Sequence, residues 1–255
     1  MSDPLVLETR DGPVLRLTLN DPARLNALSG AMIAALDAAL AGAGLDVTVR
    51  VVVLSAAGRA FSAGHDLSEL QADERALRQL FDACGGLMAR IAALPQPVVA
   101  EVQGVATAAG CQLVATCDLA IASEKARFGV NGINLGLFCT TPAVALTQVV
   151  APKAAFEMLA TGAFIPAARA LEIGLVNRVV APDALTAEVQ ALAATLAAKD
   201  PVALAMGKRA VRAMAGLPVA DAYRLAVPVM VENALRPDTQ TGIAAFLTKS
   251  AAPGA

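Results

Sequence analysis

The stretch GVATAAGCQL, residues 104–113, decides how this chain is read. It is almost all small residues, and Gln112 is its only strongly polar side chain. It follows PVVAEV (97–102), an apolar run of strand length bounded by prolines. GRAFSAG (58–64) repeats the pattern after VRVVVLSA (49–56). Both heptads share the frame G-x-A-x-x-A-G, with glycines six residues apart. Two strand–turn–small-residue units predict a repeated ββα spiral. The β-branched run 49–56 is continuous enough to be buried on both faces.

The chemistry such turns offer is backbone N–H. A turn that opens a helix leaves its first N–H groups unpaired and directs the positive end of the helix dipole outward. Small side chains let a ligand approach that backbone closely. Two facing turns would aim two donors at one oxygen, and such donors contribute about 3–4 kcal/mol each where charge develops. Tight helix packing explains small residues at one such turn, but two matching turns favour the chemical reading.

The rest of the chain fits an α/β protein. Residues 5–10 and 14–19 flank Asp11-Gly12 as a hairpin, and Ser29 is placed to cap a helix beginning LSGAMIAALDAAL. Residues 74–94 read as a helix ended by Pro95 and Pro97, and DLAIAS (118–123) as a further strand. Beyond Pro152 helical segments dominate, each opened or closed by Pro or Gly. Pro228 is expected to kink or break the helix across 219–235.

Composition narrows the function classes. The 255 residues carry 16% charged and 3% aromatic side chains and a net charge of −2. No basic run exists to bind nucleic acid. So few charges cannot cover the surface, so burial between subunits is expected. The longest uncharged stretch, Phe128 to Pro152, is interrupted by Asn, Thr, Pro and Gly and is no membrane span. Cys84, Cys111, Cys117 and Cys139 contain no C-x-x-C pair, and MSDPLVLETRDG lacks a signal-peptide pattern. A cytoplasmic-type compartment is the expectation. His65 is the only histidine, and HDLSE offers too few ligands for zinc. A distant Ser with His65 as base makes a poor triad. The cysteines read mainly as packing, with Cys111 and Cys139, in glycine-rich turns, the better site candidates.

FSAGHDL, VQGVATAAGCQLVATCDLAIAS and FGVNGINLGLFCTTP closely resemble the crotonase (enoyl-CoA hydratase/isomerase) superfamily. NDPARLNALS and the terminal AAFLTKS resemble its N- and C-terminal signatures. The resemblance spans the chain and implies a crotonase-like spiral of ββα turns over 1–195, with a helical trimerisation region over 196–255. It also implies a homotrimer or dimer of trimers and an acyl-CoA thioester as substrate, with no separate cofactor, no metal and no membrane. The thioester oxygen would lie between the N–H groups of Ala63 and Ala109. The coenzyme would run along Arg24, Asn26 and Leu28 and the loop Ala60, Ala63, Gly64, His65, Asp66 and Leu67. Leu135, Leu137 and Phe138 would wall the acyl pocket, and Phe246 and Lys249 would meet the nucleotide.

The resemblance also exposes a departure. The family's two hydratase glutamates map to Gln112, in GCQL, and Gly132, in NGINLG. No acid lies between Val102 and Cys117, or between Phe128 and Pro152. A glutamine can orient water but cannot take its proton. The expectation is an acyl-CoA enzyme that stabilises a thioester enolate but hydrates simple enoyl-CoAs weakly. A non-catalytic acyl-CoA binder, a thioester hydrolase and a purely structural oligomer are the alternatives. His65, Glu69, Cys139 and a water held by Gln112 are the candidate replacements for the carboxylates.

Overall fold

The computed structural model describes residues 3–250, with side chains through Thr248. The chain divides into two compact units, Met1–Lys199 and Asp200–Ala255.

The first unit opens with strands β1 (Val6–Asp11) and β2 (Val14–Leu19), paired antiparallel with Asp11 opposite Val14. Helix α1 (Gly30–Leu45) follows, its first turn capped by Ser29 Oγ, which accepts from Met32 N–H at 3.2 Å. The chain then winds through repeated turns. The first comprises β3 (Val51–Ala56), β4 (Ala60–Ser62) and α2 (Glu74–Ala93). The second comprises β5 (Val98–Val102), β6 (Val105–Thr107) and α3 (Ala109–Thr116). The third comprises β7 (Leu119–Ser123), β8 (Arg127–Gly129) and α4 (Thr140–Val149). Each turn gives its first strand to one sheet and its second to another. Helix α5 (Pro152–Thr161), strand β9 (Ile165–Pro166), helix α6 (Ala167–Glu172), strand β10 (Arg178–Val180) and helix α7 (Leu185–Ala197) complete the unit. The larger sheet runs β1-β2-β3-β5-β7-β10 and the smaller β4-β6-β8-β9. The pairs β3/β5, β5/β7, β4/β6 and β6/β8 are all parallel. This is the ββα spiral of the crotonase fold, and the G-x-A-x-x-A-G echo is its repeat, carried by β4 and β6 and the turns after them.

The valine-rich strands are buried on both faces. Val52, Leu54, Val98 and Ala100 pack into the main core with α1 and α2 residues such as Met32, Leu36, Leu87 and Ile91. Val51, Val53, Val99 and Ile121 face the other way, against Leu185, Val189 and Ala193 of α7. A parallel strand covered on both sides reads as an uninterrupted apolar run.

One buried polar residue ties the loop before α1 to the connection between β3 and β4. Asn26 is fully buried, with a backbone φ of 53°, in the left-handed region that Asn tolerates. Its Nδ2 donates to the carbonyls of Ala57 and Ala60, both at 2.8 Å, and its Oδ1 accepts from Asp21 N–H at 2.9 Å. The expectation that Asn26 contacts the coenzyme is therefore corrected: all its capacity is spent inside the protein. Asn26→Ala should cost about 3 kcal/mol, because buried backbone groups lose their partners. Urea unfolding tests this, and a loss below 1 kcal/mol would refute the assignment.

The second unit comprises α8 (Pro201–Met214), α9 (Val219–Leu235) and α10 (Pro237–Ser250). Asp200 caps α8 through Ala203 N–H at 2.7 Å and pairs with Arg236 at 2.7 Å. The expected break at Pro228 does not occur, and α9 runs through it. Proline removes one rung of the ladder, and the remaining rungs continue the helix. Helix α9 buries none of its residues within the chain, and Tyr223, Val227, Met230, Val231 and Leu235 are exposed.

Candidate functional site

The two repeated turns meet. Gly64 closes the first with a φ of 86°. A Cβ built there would stand 2.9 Å from Ala108 Cβ, 3.0 Å from Thr107 O and 3.3 Å from Ala109 N. Gly110 lies equally close to the first turn, where a Cβ would meet Ser62 O at 2.5 Å. Glycine is required at both places because one backbone passes directly over the other. Ala108 holds a φ of 49° immediately before α3, a conformation costly for a residue with a Cβ.

Hydrogen bonding identifies which N–H groups remain available. Ala63 N–H donates to Leu25 O at 3.0 Å, and Gly64 N–H to Ser62 Oγ at 3.3 Å. Among the described residues the next amide, that of His65, has no partner. On the facing turn Ala108 N–H donates to Gly129 O at 2.9 Å, while Ala109, the first residue of α3, has an unpaired N–H. Of the expected pair, Ala63 and Ala109, only Ala109 keeps a free N–H, because Ala63 donates to the loop that holds Asn26; the other free amide at this turn is that of His65. The consecutive turn residues gave no sign of which amide the tertiary contacts would consume.

A cavity of about 250 Å³ lies beside these turns. Ala63, His65, Leu67, Ala109, Gly132, Leu135 and Phe138 of the expected site line it. Leu137 and Cys139, also singled out from the sequence, line it too, and so do residues that sequence reasoning passed over: Leu70, Phe81, Ala108, Asn131, Thr140, Thr141 and Pro142. Phe81 comes from α2, and only packing brings it here. Asn131 adjoins a motif already singled out, and Thr107 Oγ donates to its Oδ1 at 2.7 Å.

Several expected ligand contacts lie elsewhere. Leu28 and Ala60 have buried side chains in the protein interior. Arg24 is exposed, sharing its guanidinium between Asp21 at 2.7 Å and Asp66 at 3.3 Å. Asp66 also accepts from the Ser68 hydroxyl and N–H, which hold its carboxyl below the usual carboxylate range. Gln112 is buried with an unpartnered Oε1 and does not line the cavity. Phe246 is exposed on α10, and the Lys249 side chain lies outside the described residues.

Among the described residues no carboxylate lines the cavity, whose titratable groups are His65 and Cys139. Burial pushes the Cys139 thiol up, and that of the fully buried Cys111, which is not part of the lining, to about 12. Cys139 Sγ fills the space where a side chain on Gly132 would begin, 2.5 Å from the Cβ position, and Leu137 O lies 2.7 Å from it. Glu69 is committed to helix α1, accepting from Gly30 N–H at 2.9 Å. His65 is largely buried, and desolvation holds its pKa below the ordinary 6.5. Below 6.5 the unfolded chain therefore binds a proton that the folded ring refuses, so stability falls as pH drops through that window and is unaffected above it. Since this is the sole histidine, His65→Gln should remove that slope, measured by urea unfolding between pH 7 and 5. An unchanged slope would show the ring to be solvated.

Among the described residues no group of three or more His, Cys, Asp or Glu is arranged to hold a metal ion, and no helix is long and apolar enough to cross a membrane.

Comparison with known proteins agrees with the spiral and its turns. The family model for enoyl-CoA hydratase/isomerase matches residues 9–253. Mitochondrial enoyl-CoA hydratase domain-containing protein 3 of Xenopus laevis is 42% identical over 96% of this chain and 84% of that protein. The crystal structure of an enoyl-CoA hydratase from Mycobacterium smegmatis superposes with a TM-score of 0.94 at 50% identity, covering 97% of each chain. That of human enoyl-CoA hydratase domain-containing protein 3 gives 0.93 at 38% identity, covering 96% of this chain and 98% of that one. The frog relative and its fish, rodent and human counterparts are mitochondrial by name, which overturns the cytoplasmic expectation. The four cysteines, which form no disulfide among the described residues, could not separate these two compartments. The chain belongs to the enoyl-CoA hydratase/isomerase family.

Proposed function

We propose that the protein binds an acyl-CoA thioester in this cavity and stabilises its enolate between the N–H groups of His65 and Ala109. The observation that carries this reading is the meeting of two unpaired amides at a largely apolar cavity. Donors fixed before the reaction pay no reorganisation when charge develops on the thioester oxygen. Leu67, Leu135 and Phe138 would wall the acyl chain, and the exposed Arg24 would meet a phosphate of the coenzyme.

Simple hydration of enoyl-CoAs should be weak. Adding water across a double bond needs a group that takes a proton from water and one that delivers a proton to Cα. A positioned acid–base group contributes about 10²–10⁴-fold. With Gln112 and Gly132 at the family's glutamate positions, that contribution is missing. Loss of the conjugated thioester absorbance of crotonyl-CoA measures it directly. The native protein should be slow, at least about 10²-fold below an enzyme that keeps one positioned acid–base group. Rapid hydration by the native protein would overturn this reading.

We also propose a homotrimer, or paired trimers, as the assembled form. The exposed apolar residues of α9 support it, since such a helix needs a covering surface. Sedimentation equilibrium would test it, and a monomer at micromolar concentration would refute it.

A further inference from the structure

His65 contributes more to the cavity than its amide. Its Nδ1 lies 3.0 Å from the carbonyl of Leu28. A carbonyl only accepts, so in the neutral ring the proton sits on Nδ1 and the lone pair on Nε2. The ring packs edge-on against Phe81, with centroids 5.4 Å apart and planes at 82°, which fixes its orientation. Nε2 is buried and has no partner. A buried polar atom without a partner costs about 1–3 kcal/mol, so this one calls for a role that the fold does not provide. The other candidates fail on their own chemistry: Cys139 is a thiol whose ionisation burial opposes, Glu69 is tied to Gly30, and Gln112 is an amide.

We infer that His65, through Nε2, is the group that takes and returns the α-proton of the bound thioester. This rests on the proposed acyl-CoA reading and adds its missing base. In the forward step the Nε2 lone pair takes the Cα proton. The C–H electron pair becomes the bond between Cα and the carbonyl carbon, and the carbonyl π pair moves onto oxygen, where the amides of His65 and Ala109 receive it. The reverse step returns a proton from the imidazolium to Cα. Nothing is oxidised or reduced, and no further reactant is consumed. Desolvation keeps the ring neutral and ready to accept near neutral pH, while the charge of Glu69, the charged side chain that acts on the ring, favours the imidazolium once formed. Cys139, the other titratable group of the cavity, stays protonated over the same range.

The test is deuterium incorporation at Cα of butyryl-CoA in D₂O, followed by mass spectrometry, with binding measured in parallel by calorimetry. The wild-type protein should exchange, with a rate that rises with pH through an inflection below 6.5 and then levels. His65→Gln keeps the backbone amide, so its Kd should stay within about three-fold while exchange falls about 10²-fold or more. Exchange at the wild-type rate in His65→Gln, or none in wild-type protein that binds the thioester, overturns the inference and leaves the binding reading intact. Failure to bind any acyl-CoA removes both. Should the variant not fold, the unmodified protein still decides. Its one histidine gives a single pair of ring ¹⁵N resonances. Saturation with a thioether analogue of butyryl-CoA should move the Nε2 resonance, and an unmoved resonance in the bound state counts against the role.

Discussion

Gly64→Ala is expected to lower acyl-CoA affinity and any thioester chemistry by about 10²–10³-fold, the effect of losing one aligned donor. The residue sits at φ 86° with Ala108 Cβ, Thr107 O and Ala109 N within 2.9–3.3 Å of the position an added methyl would take. None of these is the free end of a long side chain, so the two turns must part. Parting them separates the amide of His65 from that of Ala109. Positive φ and overpacking together should cost about 3 kcal/mol of stability. Calorimetry and thermal unfolding read the two effects separately. A variant that keeps native affinity would mean that the two turns do not act on one oxygen.

Gly132→Glu is expected to fail as a restored hydratase. The obvious way to return the family's second carboxylate is blocked, because Cys139 Sγ and Leu137 O occupy the space at the new Cβ. The turn is further tied by the Leu137 N–H, which donates to Gly132 O at 3.0 Å. The variant should lose about 2–3 kcal/mol by overpacking and gain no crotonyl-CoA hydration. Adding Cys139→Ala should recover part of the stability, since a thiol can be removed. It should not recover all of it, since the Leu137 carbonyl is backbone. The coupling between the two substitutions, measured by urea unfolding, is therefore favourable but incomplete. A stable Gly132→Glu variant with strong hydratase activity would show that this segment yields easily and that the missing carboxylate alone separates the protein from a hydratase. Gln112→Glu, with a carboxyl replacing an amide of equal size, is the more permissive substitution.

Much of the fold was legible because it rests on local rules. Strand length, β-branched runs and Pro or Gly boundaries located β3, β5 and β7, and Ser29 announced α1. The glycine-framed repeat disclosed the spiral, because the close approach of two backbones leaves only small residues possible, and that demand is written directly in the sequence. The lack of acids within residues 103–116 and 129–151 was legible directly, but whether a distant acid such as Glu69 would reach the cavity was not. Of the kink or break expected at Pro228, the break does not occur, because propensity states only a cost and α9 runs through it.

The residue chemistry of the site was thus determined by the sequence alone: small residues, amides and a single histidine, with no acid near Gln112 or Gly132. Only the tertiary structure decided how that chemistry is deployed. It spent the amide of Ala63 on Leu25 and left that of His65 unpaired. It buried Asn26, which the family signature had suggested as a ligand contact, as the bond between two loops. It brought Phe81, from the helix that follows the loop, against the histidine ring, and it filled the space at Gly132 with Cys139. Each of these outcomes depends on which groups the folded chain brings into contact, and neither composition nor spacing encodes that pairing.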